Sequence, residues 1–465
     1  MDNLLENITK ADSGDVEAQL NVARYILWDD YSEEIDPDWL VRAISYLESA
    51  ATQGNCDAML ELGFIYRDGR GVDRSIDESF RWNKMAADLL NPAAFCNMGY
   101  ALEIPLGYLD PNDEKADYKT AFEYFLKGAL LGDANCLYKL GDMYFSGKYV
   151  DADPKFAFML YRDSRYAAGN IYSYSGACLR LGECYLKGIG TEQDVQQARE
   201  CLKDAISSYK RGTEGGELKK FTSGGHDRAI YLLKEIDSGK EIEAVPNQGL
   251  KDDSEDYIEF ISSALMEYPE PEYPIAELDS LKAENPCITD FDKKMFFNGE
   301  LSAAEAGNVD AMYHIAFYCF NRFDDSSDRE MIGFALYYYH KAIRQGCRAC
   351  MYNLGAIYFH GDGGVEIDKK KAFLLYYHAS AFIAQGELGF FYAMGEIIEK
   401  DYEKAFKCFA KSALQLVNAS FDSLANLATM YRKGLYVAVD AKFADYLDDL
   451  SKKAEKNIDK PGAKI

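Results

Sequence analysis

The 465-residue chain contains no run approaching the ~18 consecutive apolar residues that a membrane-spanning helix needs. Its start, Met1-Asp2-Asn3-Leu4-Leu5-Glu6, has neither a basic region nor an apolar core, which argues against a secretory signal. A cytoplasmic chain that does not enter a membrane is expected. Positive charge is scarce: 51 Lys and Arg stand against 77 Asp and Glu, giving a net charge of −26. A field of that sign repels phosphate backbones, so nucleic acid is not an expected partner. Histidine is rare as well. His314, His340, His360 and His378 fall at unrelated repeat positions, and no His-Glu-x-x-His spacing fixes a metal. Cys347-x-x-Cys350 has no second pair to complete a zinc site and reads as core packing. There is no nucleophile elbow and no Gly-rich dinucleotide fingerprint. Gly361-Asp362-Gly363-Gly364 lacks the Lys-Ser/Thr of a phosphate loop. These absences leave no expected catalytic residue, cofactor or metal.

What the sequence holds in abundance is one small cassette. Its cleanest copy is Leu62-Gly63-x-x-Tyr66-x-x-Gly69-x-Gly71, and close copies centre on Gly141, Gly182, Gly355 and Gly389. Looser ones centre on Ala23, Gly99, Ala316 and Ala428. Neighbouring copies lie 34 to 42 residues apart, except for one gap of 134 between Gly182 and Ala316. A period in that range marks a solenoid, in which each unit buries its apolar face against the next.

The cassette reads as the first helix of a pair, helix A. Its central Gly or Ala lets a partner helix approach closely, the Tyr three residues on packs along the same face, and the Gly at +6 suits a left-handed C-cap. Helix B follows with its own pattern, as in Ala121-x-x-Tyr124-Phe125, Ala335-x-x-Tyr338-Tyr339 and Ala372-x-x-Leu375-Tyr376. Four residues before that Ala stands an acid able to cap the helix: Asp117, Asp153, Asp194, Asp368, Asp401 or Asp440. In the second repeat Ser75 with Glu78 forms a capping box instead. At the Ala23, Gly99 and Ala316 copies the Tyr is replaced by Ile26, Leu102 and Cys319, and the Gly by Asp29, Pro105 and Arg322, which predicts irregular loops. The cysteines share no common register, so they read as reduced, mostly buried small residues.

Taken together, the Leu-Gly-x-x-Tyr core, the Gly69-x-Gly71-Val72 ending, the capping Asp and the spacings resemble the Sel-1-like repeat family, a relative of tetratricopeptide repeats. The resemblance covers about residues 11–207 and 300–455. It implies an all-α, right-handed α-solenoid of antiparallel helix pairs and a scaffold or adaptor that organises complexes. Some secreted, cysteine-rich relatives have been linked to β-lactam binding or hydrolysis. Those carry registered disulfide pairs that this chain lacks, so a hydrolase is the weaker alternative.

Residues 1–207 are expected to form a first array of about five repeats, and residues 289–465 a second array of about four. Between them, 208–288 reads as an acidic, Pro-containing irregular connection. Its core, 241–284, holds 13 acids and only Lys251 and Lys282 as bases. That stretch reads either as a linker or as a strap that gates the groove of a regulatory subunit. In an array of this kind helices A line the concave side. Positions −3, +1 and +4 from the cassette Gly or Ala should then form a groove for a protein or peptide partner. They include Leu60, Phe64, Arg67, Tyr138, Asp142 and Phe145 in the first array, and Tyr313, Phe317, Phe320, Tyr352, Phe359 and Arg432 in the second. Aromatic and Arg side chains are common interface anchors.

Overall fold

In the computed structural model every described element is helical. The structure describes residues 2–29, 37–103, 117–167, 171–214, 223–239, 298–321, 329–379, 384–415 and 421–457. The chain divides into two compact units, Met1–Gly249 and Leu250–Ile465.

In the first unit a lone helix, α1 (Asp2–Asp12), precedes five A/B pairs: α2 (Val16–Arg24) with α3 (Pro37–Thr52), α4 (Cys56–Asp68) with α5 (Ile76–Asp88), α6 (Pro92–Glu103) with α7 (Tyr118–Leu130), α8 (Ala134–Ser146) with α9 (Pro154–Tyr166), and α10 (Ile171–Lys187) with α11 (Val195–Glu214). One further helix, α12 (Ser223–Asp237), packs on the last pair. The second unit repeats the plan. A lone α13 (Asn298–Glu305) leads into α14 (Val309–Asn321) with α15 (Arg329–Ile343), α16 (Arg348–His360) with α17 (Lys369–Ala379), α18 (Gln385–Met394) with α19 (Tyr402–Ala413), and α20 (Phe421–Lys433) with α21 (Ala441–Asn457). Each unit is an α-solenoid of antiparallel helix pairs.

Two local devices build each pair. The first closes the A–B loop. The cassette Tyr carbonyl accepts the backbone N–H of the residue that caps helix B: Tyr66 from Ser75 at 2.9 Å, Tyr144 from Asp153 at 2.8 Å, Tyr185 from Asp194 at 2.9 Å and Tyr392 from Asp401 at 2.9 Å. The same capping side chain then accepts an N–H of the first turn, as Asp153 does from Phe156 at 2.9 Å. One residue therefore ties off the end of helix A and begins helix B. The loop's turn comes from left-handed residues at +6 and +8 of the cassette. At +8 Gly363 has φ +68° and lies against Ile332, where a Cβ would come within 2.1 Å. Tyr149 and Tyr436 hold the same left-handed conformation, with φ 65° and 70°. Their rings rest on Phe122 and Phe406, at centroid distances of 5.2 and 5.9 Å.

The second device is the fit of a helix-B side chain onto the cassette Gly. A Cβ on Gly141 would stand 2.6 Å from the Tyr161 ring, one on Gly99 2.5 Å from Phe125, and one on Gly389 2.6 Å from Phe409. Gly182 faces Leu202 in the same way, at 2.8 Å. In the second repeat the ring is replaced by Asn83, whose amide Nδ2 would lie 2.4 Å from a Cβ on Gly63. There Ser79 Oγ donates to the Gly63 carbonyl at 2.7 Å and Asn83 Nδ2 to the Ser79 carbonyl at 2.9 Å, so the buried polar atoms are satisfied.

Where the cassette is degenerate the geometry changes. In the first repeat, with Ile26 and Asp29 in place of Tyr and Gly, helix α2 runs into a π-helical turn, Tyr25–Asp29. The loops of the Gly99 and Ala316 copies, with Pro105 and Arg322, lie outside the described residues. The connection expected over 208–288 differs at its start. Helix α11 extends to Glu214, and α12 buries Ala229, Leu232 and Ile236 in a cluster with Cys178, Leu186, Ala198, Leu202 and Ala205. Those three residues recur at helical spacing and supply the apolar stripe that closes the first unit. The acidic stretch 241–284 lies outside the described residues.

One buried group gives the second unit a pH signature. His340 on α15 is 6% exposed. Burial, with Lys371 and Arg344 nearby, pushes its imidazole from 6.5 down to about 4. It is neutral when folded and takes a proton on unfolding below about pH 6.5. Its contribution is therefore present above that pH and lost as the pH falls toward 4. Between pH 7 and pH 5, wild type should lose about 2 kcal/mol more stability than His340→Leu. Parallel urea titrations at the two pH values measure the difference.

Candidate functional site

Helix A of each repeat turns its Leu, Gly and Tyr toward helix B. The −3, +1 and +4 positions are not uniform: Leu20, Leu27, Cys96, Glu103 and Leu186 are buried, and others stay at least partly open to solvent. All twelve expected groove residues are partly or well exposed: Leu60, Phe64, Arg67, Tyr138, Asp142, Phe145, Tyr313, Phe317, Phe320, Tyr352, Phe359 and Arg432. Their surroundings separate them into groups.

Position −3 reaches the neighbouring repeat. The Tyr352 hydroxyl donates to Glu387 Oε1 on the next helix A at 2.9 Å, and its ring packs against Tyr376. The Tyr138 ring lies over Gly176 of α10, where a Cβ would come within 3.2 Å, and beside Tyr161. Leu60 packs at the edge of the first unit's core. These side chains are engaged in stacking repeats. Arg432 is drawn to helix B of its own repeat, where it pairs with Asp445 at 2.9 Å and Asp448 at 2.7 Å. Arg67 pairs with Asp68 and lies 5.0 Å over the Phe64 ring.

Asp142 belongs to a ladder of charges that sequence reasoning had not joined up. Arg24 of α2 pairs with Glu61 of α4 at 2.8 Å. Lys139 of α8 pairs closely with Glu103 of α6. Arg180 of α10 meets Asp142 of α8 at 3.0 Å and Glu183 at 3.1 Å, and Arg228 of α12 reaches Glu183 at 3.0 Å. Asp142 also accepts from the Tyr161 hydroxyl at 2.9 Å. The helix-A face of the first unit is thus crossed by ion pairs between successive repeats. Apart from Arg180 and Glu183, which share α10, the partners lie 36 to 45 residues apart in the chain. That separation is one repeat, and it is the signal by which the pairs were open to recognition.

The second unit presents aromatic carbon on the corresponding face. Phe317 is 45% exposed and stacks on Tyr313 at 5.8 Å with an interplanar angle of 17°. Phe359 makes edge contacts with Phe390 at 5.9 Å and Phe391 at 5.6 Å. Phe390, 37% exposed, and Met394, 45% exposed, extend the patch along α18. Phe390 occupies the +1 position of the Gly389 cassette, so the spacing rule that selected Phe317 points to it equally.

The potential metal ligands have structural occupations. Among the described residues one group of three donors comes together: Cys96, Asp133 and Cys136, with ligand atoms within 4.8 Å of one another. Asp133 caps α8 by accepting the Cys136 N–H at 2.8 Å. The Cys136 thiol fills the space beside Gly128, where a Cβ would meet Sγ at 2.3 Å. Burial holds the Cys136 thiol well above its usual range and raises Asp133 as well, which favours the uncharged forms in this contact between repeats. His314 faces Glu300 at 3.4 Å, His360 packs edge-on to Phe359, and His378 lies beside Tyr377. No disulfide joins the described cysteines.

Comparison with known proteins finds the same frame. The Sel1 repeat family model matches residues 16–55, 56–89, 92–133, 134–162, 175–208, 309–347, 348–381, 383–415 and 422–444. A Sel1-like repeat-containing protein of Schizosaccharomyces pombe is 29% identical over 127 residues, covering 27% of this chain and 18% of that protein. The chain is thus aligned to less than a fifth of that relative's length. Among solved structures, it is similar to a protective antigen of uropathogenic Escherichia coli displaying an SLR fold, at 22% identity and a TM-score of 0.32 over 97% of this chain and 90% of that one. A Sel1 repeat protein from Oxalobacter formigenes matches at 22% identity and a TM-score of 0.35, over 53% of this chain and 100% of that one. An immunity protein from Pseudomonas aeruginosa matches at 18% identity and a TM-score of 0.31, over 49% of this chain and 84% of that one.

The charge ladder makes its own prediction. Asp142→Ala removes the shared acceptor of Arg180 and Tyr161, leaving the partly buried Arg180 with Glu183 alone and the buried Tyr161 hydroxyl without its acceptor. It should cost the first unit about 2 kcal/mol, less than for a fully buried pair because these groups keep some solvent. Arg67→Ala, at an exposed pair, should stay within about 0.5 kcal/mol. Urea unfolding followed by circular dichroism separates the two.

Proposed function

Because the chain belongs to the Sel1 repeat family, whose helical repeats generally mediate protein–protein contact, we propose that it is a non-enzymatic scaffold or adaptor. It holds a protein or peptide partner against the helix-A face of its repeats, which would form the concave side of each array. The observation that carries this reading is the run of half-open aromatic side chains on the second unit: Tyr313 with Phe317, then Phe359 with Phe390 and Met394. Rings held on rigid helices lose little side-chain entropy on binding, and aromatic anchors tend to dominate interface energies. The first unit, where that face is already crossed by ion pairs, serves as the stiffer part of the scaffold. No described helix is long and apolar enough to cross a membrane. Among the described residues the cysteines are mostly buried and form no disulfide, in keeping with a reducing, cytoplasmic setting. The non-enzymatic reading is supported by the occupations of the polar groups, which cap helices or pair between repeats.

The test is affinity capture with cross-linking from the native host, comparing wild type with Phe317→Ala and Phe390→Ala. Both changes lie on the open face, so helicity should stay near that of wild type. Loss of one anchor should weaken partner retention by about 2 kcal/mol, roughly thirtyfold in affinity. Retention equal to wild type in both variants would contradict the assignment of this face.

A further inference from the structure

The Cys347-x-x-Cys350 pair has the sequence of a core contact, and half of it behaves as one. Cys350 is fully buried in the core of the second unit. It stands third in its helix, where the other first helices carry Ala58 and Ala311. Cys347 does something else. It is the N-cap of α16, half-buried, with its Sγ accepting the Cys350 N–H at 3.4 Å. In five other repeats the equivalent residues are Asp15, Asn55, Asn91, Asp133 and Asn308, whereas α18 begins after Ala384 with no side-chain cap. Each of the five accepts the corresponding N–H through an oxygen, at distances of 2.7, 2.8, 3.1, 2.8 and 2.9 Å.

The frame therefore asks for an electron-rich acceptor at this point, at the end of a helix whose free N–H groups favour an anion. A sulfur meets that demand best as a thiolate. The neighbourhood agrees. The Cys350 side chain, with the N–H groups of Cys350 and Ala349, favours the charged form of Cys347. Burial and Asp310 on α14 oppose this, and the balance brings Cys347 down to about 7. The neighbouring Cys347 sulfur, with burial, holds Cys350 well above the usual thiol range.

We propose that Cys347 and Cys350 form a redox-modifiable dithiol that reacts with low-molecular-weight disulfides. Cys347 is the attacking thiolate and Cys350 the resolving thiol. The Cys347 sulfur attacks one sulfur of the disulfide, the S–S bond breaks, and the first small thiolate leaves and takes a proton from solvent. Cys350 then gives up its proton as its sulfur attacks Cys347 Sγ, expelling the second small thiol. Two protein thiols are oxidised to one disulfide, and the small disulfide is reduced to two thiols. The step is stoichiometric, so it modifies a scaffold and does not depend on the chain being an enzyme.

The experiment uses the full chain with iodoacetamide and oxidised glutathione, read by peptide mass spectrometry. At neutral pH Cys347 should be alkylated at least about fivefold faster than Cys408, a half-buried thiol within α19. That ratio allows for the lower intrinsic nucleophilicity of a low-pKa thiolate. Oxidised glutathione should close the Cys347–Cys350 disulfide. Cys350→Ala, which restores the residue found at this position in other repeats, should stop at a glutathione adduct on Cys347. Cys347→Asn, which restores their cap, should leave Cys350 unmodified. Alkylation of Cys347 no faster than that of Cys408, or a Cys350→Ala chain that takes up no glutathione at Cys347, would overturn the proposal. A wild-type adduct that never closes would overturn the resolving role of Cys350.

Discussion

Everything in both units depends on how closely helix B lies on helix A. At Gly99, Gly141, Gly182 and Gly389 a helix-B side chain occupies the volume that a Cβ would take. Once the helices are that near, the loop between them is short enough for one residue to bond the cassette Tyr carbonyl and cap helix B at once. The rest of helix A's apolar stripe is then consumed in the pair. What remains for other contacts is set by subtraction: those of the −3, +1 and +4 positions that stay open, one row of which is partly used to join neighbouring repeats.

The two units spend that remainder differently. In the first, the spare positions and their neighbours hold Arg24, Glu61, Lys139, Asp142, Arg180 and Glu183, and opposite charges meet across the repeat boundary. Partly buried pairs of this kind fix register more than they add stability. In the second, the same rows hold Phe317, Phe359 and Phe390, whose edges and faces stay partly in solvent. Exposed carbon on a rigid helix is a poor use of surface unless something covers it. The contrast between a face crossed by ion pairs and one of half-open rings is the physical basis of the proposal that a partner docks on the second unit.

Much of this was legible in the sequence, because the governing interactions are local and repeated. The capping residues Asp153, Asp194, Asp368, Asp401 and Asp440 stand at a fixed distance from the helix-B Ala, and each is a cap in the structure. The left-handed Gly at +6 follows from the same register. Less legible were features that depend on what lies one repeat away. Tyr352 reads as a groove residue by spacing, yet its hydroxyl is held by Glu387. Arg432 reads the same way, yet it folds back onto Asp445 and Asp448. Helix α12 went unseen because its stripe of Ala229, Leu232 and Ile236 lacks the cassette and follows a Gly-rich stretch. Cys347 reads with Cys350 as core packing and does lie against the core, but the spacing does not reveal that it is also the helix cap.

The claim at the centre of this account is that the cassette Gly is specified by the side chain lying on it. A double-mutant cycle on Gly141 and Tyr161 tests it most directly. Gly141→Ala alone should destabilise the first unit, because its methyl group meets the ring. Tyr161→Ala alone should also cost stability, by opening a cavity and removing one of the two donors to Asp142. If the ring is what excludes the methyl group, the double variant should be at least about 1 kcal/mol more stable than the sum of the two losses. Additivity within about 0.5 kcal/mol would contradict the claim, since the glycine and the ring would then be independent of each other.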